Sequence, residues 1–248
     1  MAEDYLMTSV QACEVQERTF DAPIGADWHS AVGETLAYRS LEGGDIALHA
    51  MDPQHGLPLL QRRYAARGYR LGGVPASMTL GAFWQGRLVS TVGLRRDQGN
   101  GLVADRCFGQ EMAALRADGL RLCEFTRLAC EPQGPSKLVM ASLFHLAYLQ
   151  ALHHWGAEYL VIEVNPRHQA FYQRMLGFQP HGEQRLHRGV GAPAVLMSLS
   201  LAWGTQQVRR LGGSLGEGER SRTLFPYFFA PEDEPLLLSR LAAVYGRD

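Results

Sequence analysis

Between residues 120 and 177 the chain alternates strand-like and helix-like segments, each with its own stop signal, and this constrains the fold more than any other stretch. Residues 120–130 are a β-rich run ended by Glu131-Pro132. Ser136 is a suitable N-cap for a helix from Lys137 to about Trp155, stopped near Gly156. Residues 159–164 read as a second strand, and Pro166 opens a helix that passes Phe171 and Tyr172 and stops at Gly177. Upstream, residues 78–84 and 87–94 are apolar runs joined by Gln85-Gly86, the mark of a tight hairpin. Residues 46–50 and 195–201 read as further strands, and 57–67 and 108–117 as helices closed by Gly68 and by Asp118-Gly119. These segments predict an α/β protein, a mixed sheet with helices on its faces.

The boundaries follow from where the pattern fades. Residues 1–44 are acidic and weakly periodic up to Gly43-Gly44 and are expected to form an appended arm. Residues 45–203 are one domain of ordinary size. Residues 204–248 form an extension in which Gly212-Gly213, Gly216 and Gly218 precede the aromatic run 224–229 and an amphipathic segment, 235–245. Those aromatics must bury against the core, a ligand or a second subunit.

Hydrophobic residues make up 46% of the 248, charged residues 20%, and the net charge is −1. That balance excludes a disordered chain, and it leaves no whole-surface attraction for nucleic acid or membrane. The longest apolar candidate, 138–152, is interrupted by Ser142, His145 and Gln150 and is shorter than the roughly 20 residues of a membrane span. The first 19 residues carry Glu3, Asp4, Glu14 and Glu17 where a secretory leader needs basic charge, so a cytoplasmic location is expected. Cys13, Cys107, Cys123 and Cys130 show no metal-ligand spacing, and no metal site is expected.

Two segments carry candidate chemistry. In Leu122-Cys123-Glu124-Phe125-Thr126-Arg127-Leu128, strand alternation sets Glu124 and Thr126 on one face and Arg127 on the other. Unlike charges in an apolar strand need partners or a cleft, and a carboxylate among apolar neighbours has its pKa raised toward the range of a general base. Structural ion pairing is the plainer alternative. In the second segment, 161–178, Phe171, Met175 and Phe178 make a core stripe, whereas Arg167, His168 and Arg174 read as helix charges, with His168 a possible cap.

Together these segments resemble the GNAT acyltransferase superfamily and, within it, the long-chain N-acyl amino acid synthases of FeeM type, relatives of the acyl-homoserine-lactone autoinducer synthases. The resemblance spans residues 45–201. It rests on Glu124-Phe125-Thr126-Arg127-Leu128 and on Glu163-Val164-Asn165-Pro166-Arg167-His168 followed by Phe171-Tyr172 and Leu176-Gly177-Phe178. Leu60-Gln61-Arg62-Arg63-Tyr64 with Arg67-Gly68-Tyr69 is similar to the family's first helix and substrate-side loop, and Val89 to Arg95 to the strand before the acceptor loop, with its arginine shifted.

The resemblance implies a mixed, mostly antiparallel sheet with two splayed parallel strands and acyl transfer from a thioester to an amine. It implies Glu124 as base and Tyr172 as proton donor to the departing thiolate, with Thr126, Arg127, Arg95, Glu163 and Tyr69 toward the substrate. No permanently bound cofactor is implied; the donor is an acyl-phosphopantetheine, on acyl carrier protein or CoA. The loop Glu131-Pro132-Gln133-Gly134-Pro135-Ser136-Lys137 holds two prolines, which lack the amides of a pyrophosphate cradle. That favours acyl carrier protein, for which Lys137, Arg167, His168 and Arg174 form a candidate docking patch. An autoinducer synthase and a non-catalytic binding module of the same fold are the other readings, the first weakened by the absence of that group's N-terminal Arg and Trp signature.

Overall fold

The computed structural model describes residues 33–41, 44–69, 71, 76–98, 101–131, 137–189, 191–218 and 221–245. Most of the expected N-terminal arm, the loop 132–136 and the Ser136 cap lie outside the described residues. Eight strands form one sheet: β1 (Thr35–Leu41), β2 (Gly44–Met51), β3 (Met78–Trp84), β4 (Arg87–Arg96), β5 (Leu122–Cys130), β6 (Tyr159–Val164), β7 (Gln179–His187) and β8 (Ala192–Ser200). The spatial order is β1-β2-β3-β4-β5-β6-β8-β7, and every neighbouring pair is antiparallel except β5 and β6.

The β3–β4 hairpin turns on Gln85 and Gly86, with φ of 49° and 75°. Left-handed backbone at both central residues matches the twist of the flanking strands, which is why a Gly is found there. Helix α1 (Pro53–Ala65) starts at Asp52, whose side chain accepts the Gln54 N–H at 2.7 Å. Helix α2 (Asp105–Ala117) connects β4 to β5, and α3 (Lys137–Leu149) crosses from β5 to β6. Helix α4 (Gln169–Leu176) follows a single 3₁₀ turn capped by Asn165 and ends at Gly177 in the left-handed conformation, φ 79°. A Cβ at Gly177 would come within 2.2 Å of the Trp203 ring, so glycine is required there for space as well as for its φ. Helices α5 (Leu201–Leu211) and α6 (Glu234–Tyr245) complete the chain.

Alternating strand residues sort the two faces. Leu48, Leu80, Val92, Cys123, Phe125, Leu160, Ile162 and Met197 belong to the main core with α3, α4 and the C-terminal segment. Leu122, Val161, Ala194 and Leu196 pack under α2 on the opposite face, where α1 also lies with Leu59, Leu60 and Ala129.

Helix α3 is buried from Leu138 to Leu149 on all sides. A helix apolar all round needs cover on its outer side as well as on its sheet side. The 224–229 aromatics supply it: Leu224, Phe225, Tyr227, Phe228 and Phe229 are buried in the same core, each contributing on the order of 2 kcal/mol by area. They cover the core. Residues 35–41, inside the stretch read as an arm, form the strand at one edge of the sheet.

Candidate active site

Strands β5 and β6 pair only at Leu122 with Tyr159, Cys123 with Leu160 and Glu124 with Val161. Beyond those pairs they part, leaving the β6-facing edge of β5 from Phe125 onward unpaired with β6. At the same place β5 bulges. Thr126 opposes Gly93 and Ala129 opposes Thr91, so two residues of β5 face Val92 alone, and Arg127 takes φ 52°.

The bulge corrects the expected alternation. Cys123 and Phe125 face the α3 side, whereas Ala129 packs with α1, so parity switches at Arg127. Arg127 stands at the bulge itself, and its charge reaches Tyr64 on α1.

Glu124 projects from the last paired position and is 1% exposed. Its Oε2 accepts the Val103 N–H at 2.7 Å and its Oε1 the Ala104 N–H at 3.0 Å, both amides at the entry to α2. These donors and the charge of Arg95, directly opposite in β4, favour the carboxylate. Burial outweighs them and pushes the carboxyl up to about 7. A carboxyl held near neutrality accepts a proton without being permanently protonated.

Glu163 lies on the same face of β6, two residues past Val161. Burial, and then the charge of Glu124, push it up to about 8, with Arg106 opposing. Its Oε2 is 3.5 Å from His187 Nε2, and its Oε1 is buried without a hydrogen-bond partner among the described residues. Thr126 stays beside Gly93, where an added Cβ would meet its methyl group at 3.4 Å.

Tyr172, on α4, is half-buried, and burial raises its hydroxyl pKa; the charges it senses are those of Cys130, Tyr64 and Arg67. Its ring meets those of Phe171 and Phe178 edge-on, and Cys130 is the last residue of β5, beyond the point where β5 and β6 part.

Tyr69 and Arg167, expected in separate subsites, are joined. The Tyr69 hydroxyl accepts from Asn165 Nδ2 at 3.1 Å and from an Arg167 Nη at 3.2 Å, linking the segment after α1 to the β6–α4 junction. Arg167 Nε also donates to His168 Nε2 at 3.2 Å, and burial together with the cations Arg167 and Arg67 lowers the His168 pKa. The cap of this turn is Asn165, not His168: its Oδ1 accepts the Arg167 N–H at 3.2 Å. Lys137 Nζ sits 5.8 Å from the Tyr227 ring centroid, and Arg174 is exposed in the last turn of α4. Lys137 begins the element after β5 and Arg167 the element after β6, so both occupy the end of the sheet toward which these strands open.

Sequence reasoning missed the two amides and His187. Backbone donors leave no residue signature, and His187 stands in a polar stretch that was assigned no element. Among the described residues no group of three or more His, Cys, Asp and Glu is arranged to hold a metal ion, and no helix is long and apolar enough to cross a membrane.

A family model described as N-acyl amino acid synthase FeeM matches residues 57–200, more than half of the chain. The chain belongs to the FeeM family. Among solved structures, FeeM, an N-acyl amino acid synthase from uncultured soil microbes, is 27% identical, with 64% of this chain and 97% of that one covered and a TM-score of 0.58. Weaker likenesses are to a Drosophila melanogaster polyamine N-acetyltransferase (13% identity, 63% and 100% covered, TM-score 0.45) and to Escherichia coli ElaA (14%, 62% and 98%, TM-score 0.44). Curated proteins give no match. This FeeM-family chain has the GNAT fold and is an N-acyltransferase. Residues 201–248 follow the part that the family model matches, and the aromatics among them at 224–229 cover α3.

Proposed function

We propose that the enzyme moves a long acyl chain from acyl carrier protein to the amine of an amino acid, with Glu124 as general base. The observation that carries this reading is the placement of a carboxyl 1% exposed, poised near neutrality and gripped by two amides, where β5 and β6 separate. A pantetheine arm lying in that opening brings its thioester beside amides that β6 no longer engages, which are free to bind the carbonyl oxygen as it gains charge.

Glu124 takes a proton from the acceptor ammonium. The amine attacks the carbonyl carbon, the C–N bond forms and the C–S bond breaks, Tyr172 protonates the departing thiolate, and the second proton lost by the nitrogen restores the Tyr172 hydroxyl. Its raised hydroxyl pKa keeps Tyr172 in the protonated form that this role needs. Thr126, Arg127, Arg95, Glu163 and Tyr69 border the acceptor. Glu163, on Glu124's face, suits the ammonium end of an amino acid, and the arginines suit its carboxylate.

Carrier protein is favoured over CoA by the two prolines of the 131–137 loop and by the cations Lys137, Arg167 and Arg174, with His168, at the sheet's open end. The test is mass spectrometry of products from palmitoyl carrier protein and pooled amino acids, with palmitoyl-CoA and S-adenosylmethionine in parallel tubes. An N-acyl amino acid formed faster from the carrier supports the proposal; a lactone, or equal use of CoA, overturns the acceptor or the donor assignment respectively.

A further inference from the structure

The oxygen of the Tyr69 hydroxyl is engaged by two donors. Asn165 Nδ2 gives to it at 3.1 Å and an Arg167 Nη at 3.2 Å. Both donors are held in place. Asn165 Oδ1 accepts the Arg167 N–H at 3.2 Å, which sets the amide with Nδ2 toward Tyr69, and Arg167 Nε gives to His168 Nε2 at 3.2 Å. A phenol accepts through the lone pairs of its oxygen and donates through one proton. With the lone pairs engaged, the Tyr69 O–H points away from both donors, and among the described residues no acceptor meets it.

Arg67 stands beside it. The Arg67 and Tyr69 N–H groups both give to the Tyr64 carbonyl, at 3.0 and 2.9 Å, so the turn that ends α1 presents the two residues together. The Tyr64 and Tyr69 rings meet edge-on, their centroids 6.4 Å apart. Arg67 is exposed and joins no ion pair among the described residues. Glu131, next after Cys130, is taken by Arg62 at 2.7 Å. The charge of Arg67 acts at once on Tyr64, Cys130, His168 and Tyr172, and Arg127 adds its own at Tyr64. A spare O–H beside an unmatched guanidinium is a site for an anion.

Position decides which anion. Tyr172, which senses the same Arg67, protonates the thiolate in the proposed reaction, and the amine attacks the carbon bonded to that sulfur. In an α-amino acid the carboxylate hangs from the carbon that carries the amine, so it stays close to the reacting atoms. The phosphate of the carrier stands at the other end of the pantetheine arm, roughly 15 Å from the sulfur, the reach of about four residues of extended chain. We propose that Tyr69 and Arg67 bind the carboxylate of the acceptor, the first by a hydrogen bond and the second by charge, and so select α-amino acids over other amines. The inference rests on the reading of the acceptor as an amino acid and of Tyr172 as the proton donor. Asn165 and Arg167 are positioning residues, which aim the Tyr69 hydroxyl.

The test uses the full chain with palmitoyl carrier protein and two acceptor pools, L-amino acids and the same amino acids as α-carboxamides, with products measured by mass spectrometry. The most used acid and its carboxamide are then compared singly. The parent is expected to favour the acid roughly tenfold or more in kcat/KM, as a site built to hydrogen-bond one group rejects its isostere. Tyr69→Phe and Arg67→Gln are each expected to lower kcat/KM for the acid about tenfold, the scale of a hydrogen bond to a charged group. The preference over the carboxamide shrinks with it, and the KM for the carrier stays at the parent's value. Arg67 is exposed, so its variant tests the charge without a packing loss. An N-acyl amino acid formed with no preference over the carboxamide, or a preference that both variants keep, overturns the carboxylate site alone. Equal losses on acid and carboxamide do the same, since a structural role does not distinguish them. A raised KM for the carrier with the preference intact gives the pair to the phosphate of the donor and overturns the proposal. Transfer to hexylamine in a third tube, with none to either pool, overturns the amino acid reading and this inference with it.

Discussion

Arg116 closes on Asp105 through two hydrogen bonds, Nη1 to Oδ1 at 2.6 Å and Nη2 to Oδ2 at 2.8 Å, while its Nε reaches Asp97 at 2.6 Å. Asp105 Oδ2 also accepts the Leu102 N–H. The guanidinium thus ties the end of β4 and the body of α2 to the short segment that presents the Val103 and Ala104 amides to Glu124. The fork also holds the Asp105 carboxyl below its ordinary pKa. Arg116→Leu is expected to loosen those amides and lower kcat roughly 10- to 100-fold, the scale of a small misplacement of a catalytic group, with little change in KM. Arg116→Lys keeps the charge and loses the fork, so it falls between. Steady-state kinetics on the three proteins check the order.

The pH dependence of kcat/KM carries the signature of Glu124. With its carboxyl at about 7, activity rises as pH passes through neutrality and the base form accumulates. Glu124→Gln removes that limb and costs roughly 10²-fold or more, by general-base magnitudes. A rising limb that survives in the glutamine variant assigns it to another group.

The same carboxyls cost stability. Glu163 titrates near 4.5 when unfolded and about 8 when folded, so between those values the folded protein holds more protons than the unfolded chain. Stability therefore falls as pH rises through that window. Glu163→Gln is expected to flatten the fall and to raise the melting temperature at pH 8 by roughly 3–8 °C, with little change at pH 4.5. Melting curves at both pH values check the sign.

Much of this architecture is legible because local chemistry and tertiary need agree. Gln85-Gly86 states its turn, Gly177 its helix stop, and the apolar surroundings of Glu124 its burial. Strand β7 is not legible: Gln179 to His187 is polar and largely exposed, an edge strand held by pairing with β8 and not by a buried face. The end of β5 past Arg127 escapes simple alternation because one inserted residue reverses the parity downstream, and no residue type there announces the bulge. His187 escapes for the same reason as its strand. The aromatics at 224–229 declare that they must be buried, but only the fully buried α3 shows where.

The carrier patch makes an electrostatic prediction. Carrier proteins are acidic, and Arg174 and Arg167 stand at the open end of the sheet, Arg167 fixed in part by Tyr69. Arg167→Glu with Arg174→Glu is expected to weaken carrier binding about tenfold or more at low salt, the gap closing as ionic strength shortens the Debye length to about 3 Å at 1 M. Titration of holo carrier protein against parent and double variant across salt checks this. Equal affinities throughout remove these arginines from the interface.

The C-terminal segment is locked by one imidazole. His145 is fully buried in α3; its Nδ1 accepts the Phe229 N–H at 3.0 Å and its Nε2 meets Glu234 Oε1 at 3.1 Å. Because Nδ1 accepts, the proton sits on Nε2 and the ring is held neutral, stacked 5.0 Å from Phe228. Burial lowers its pKa below the ordinary histidine value of 6.5. The folded state then binds fewer protons than the unfolded chain at mildly acid pH, so the stabilisation is complete above 6.5 and is lost as pH falls toward the folded-state value. His145→Phe keeps a ring of similar shape but strands the Phe229 N–H and the Glu234 carboxylate, and is expected to cost about 1–3 kcal/mol at pH 7.5. At pH 5.5 the parent has lost part of its advantage, so the gap between the two proteins narrows. Denaturant unfolding of both at the two pH values measures it. A gap of equal size at both would mean that His145 contributes shape alone, and that the hold of α3 on the aromatic segment is not tied to the neutrality of the ring.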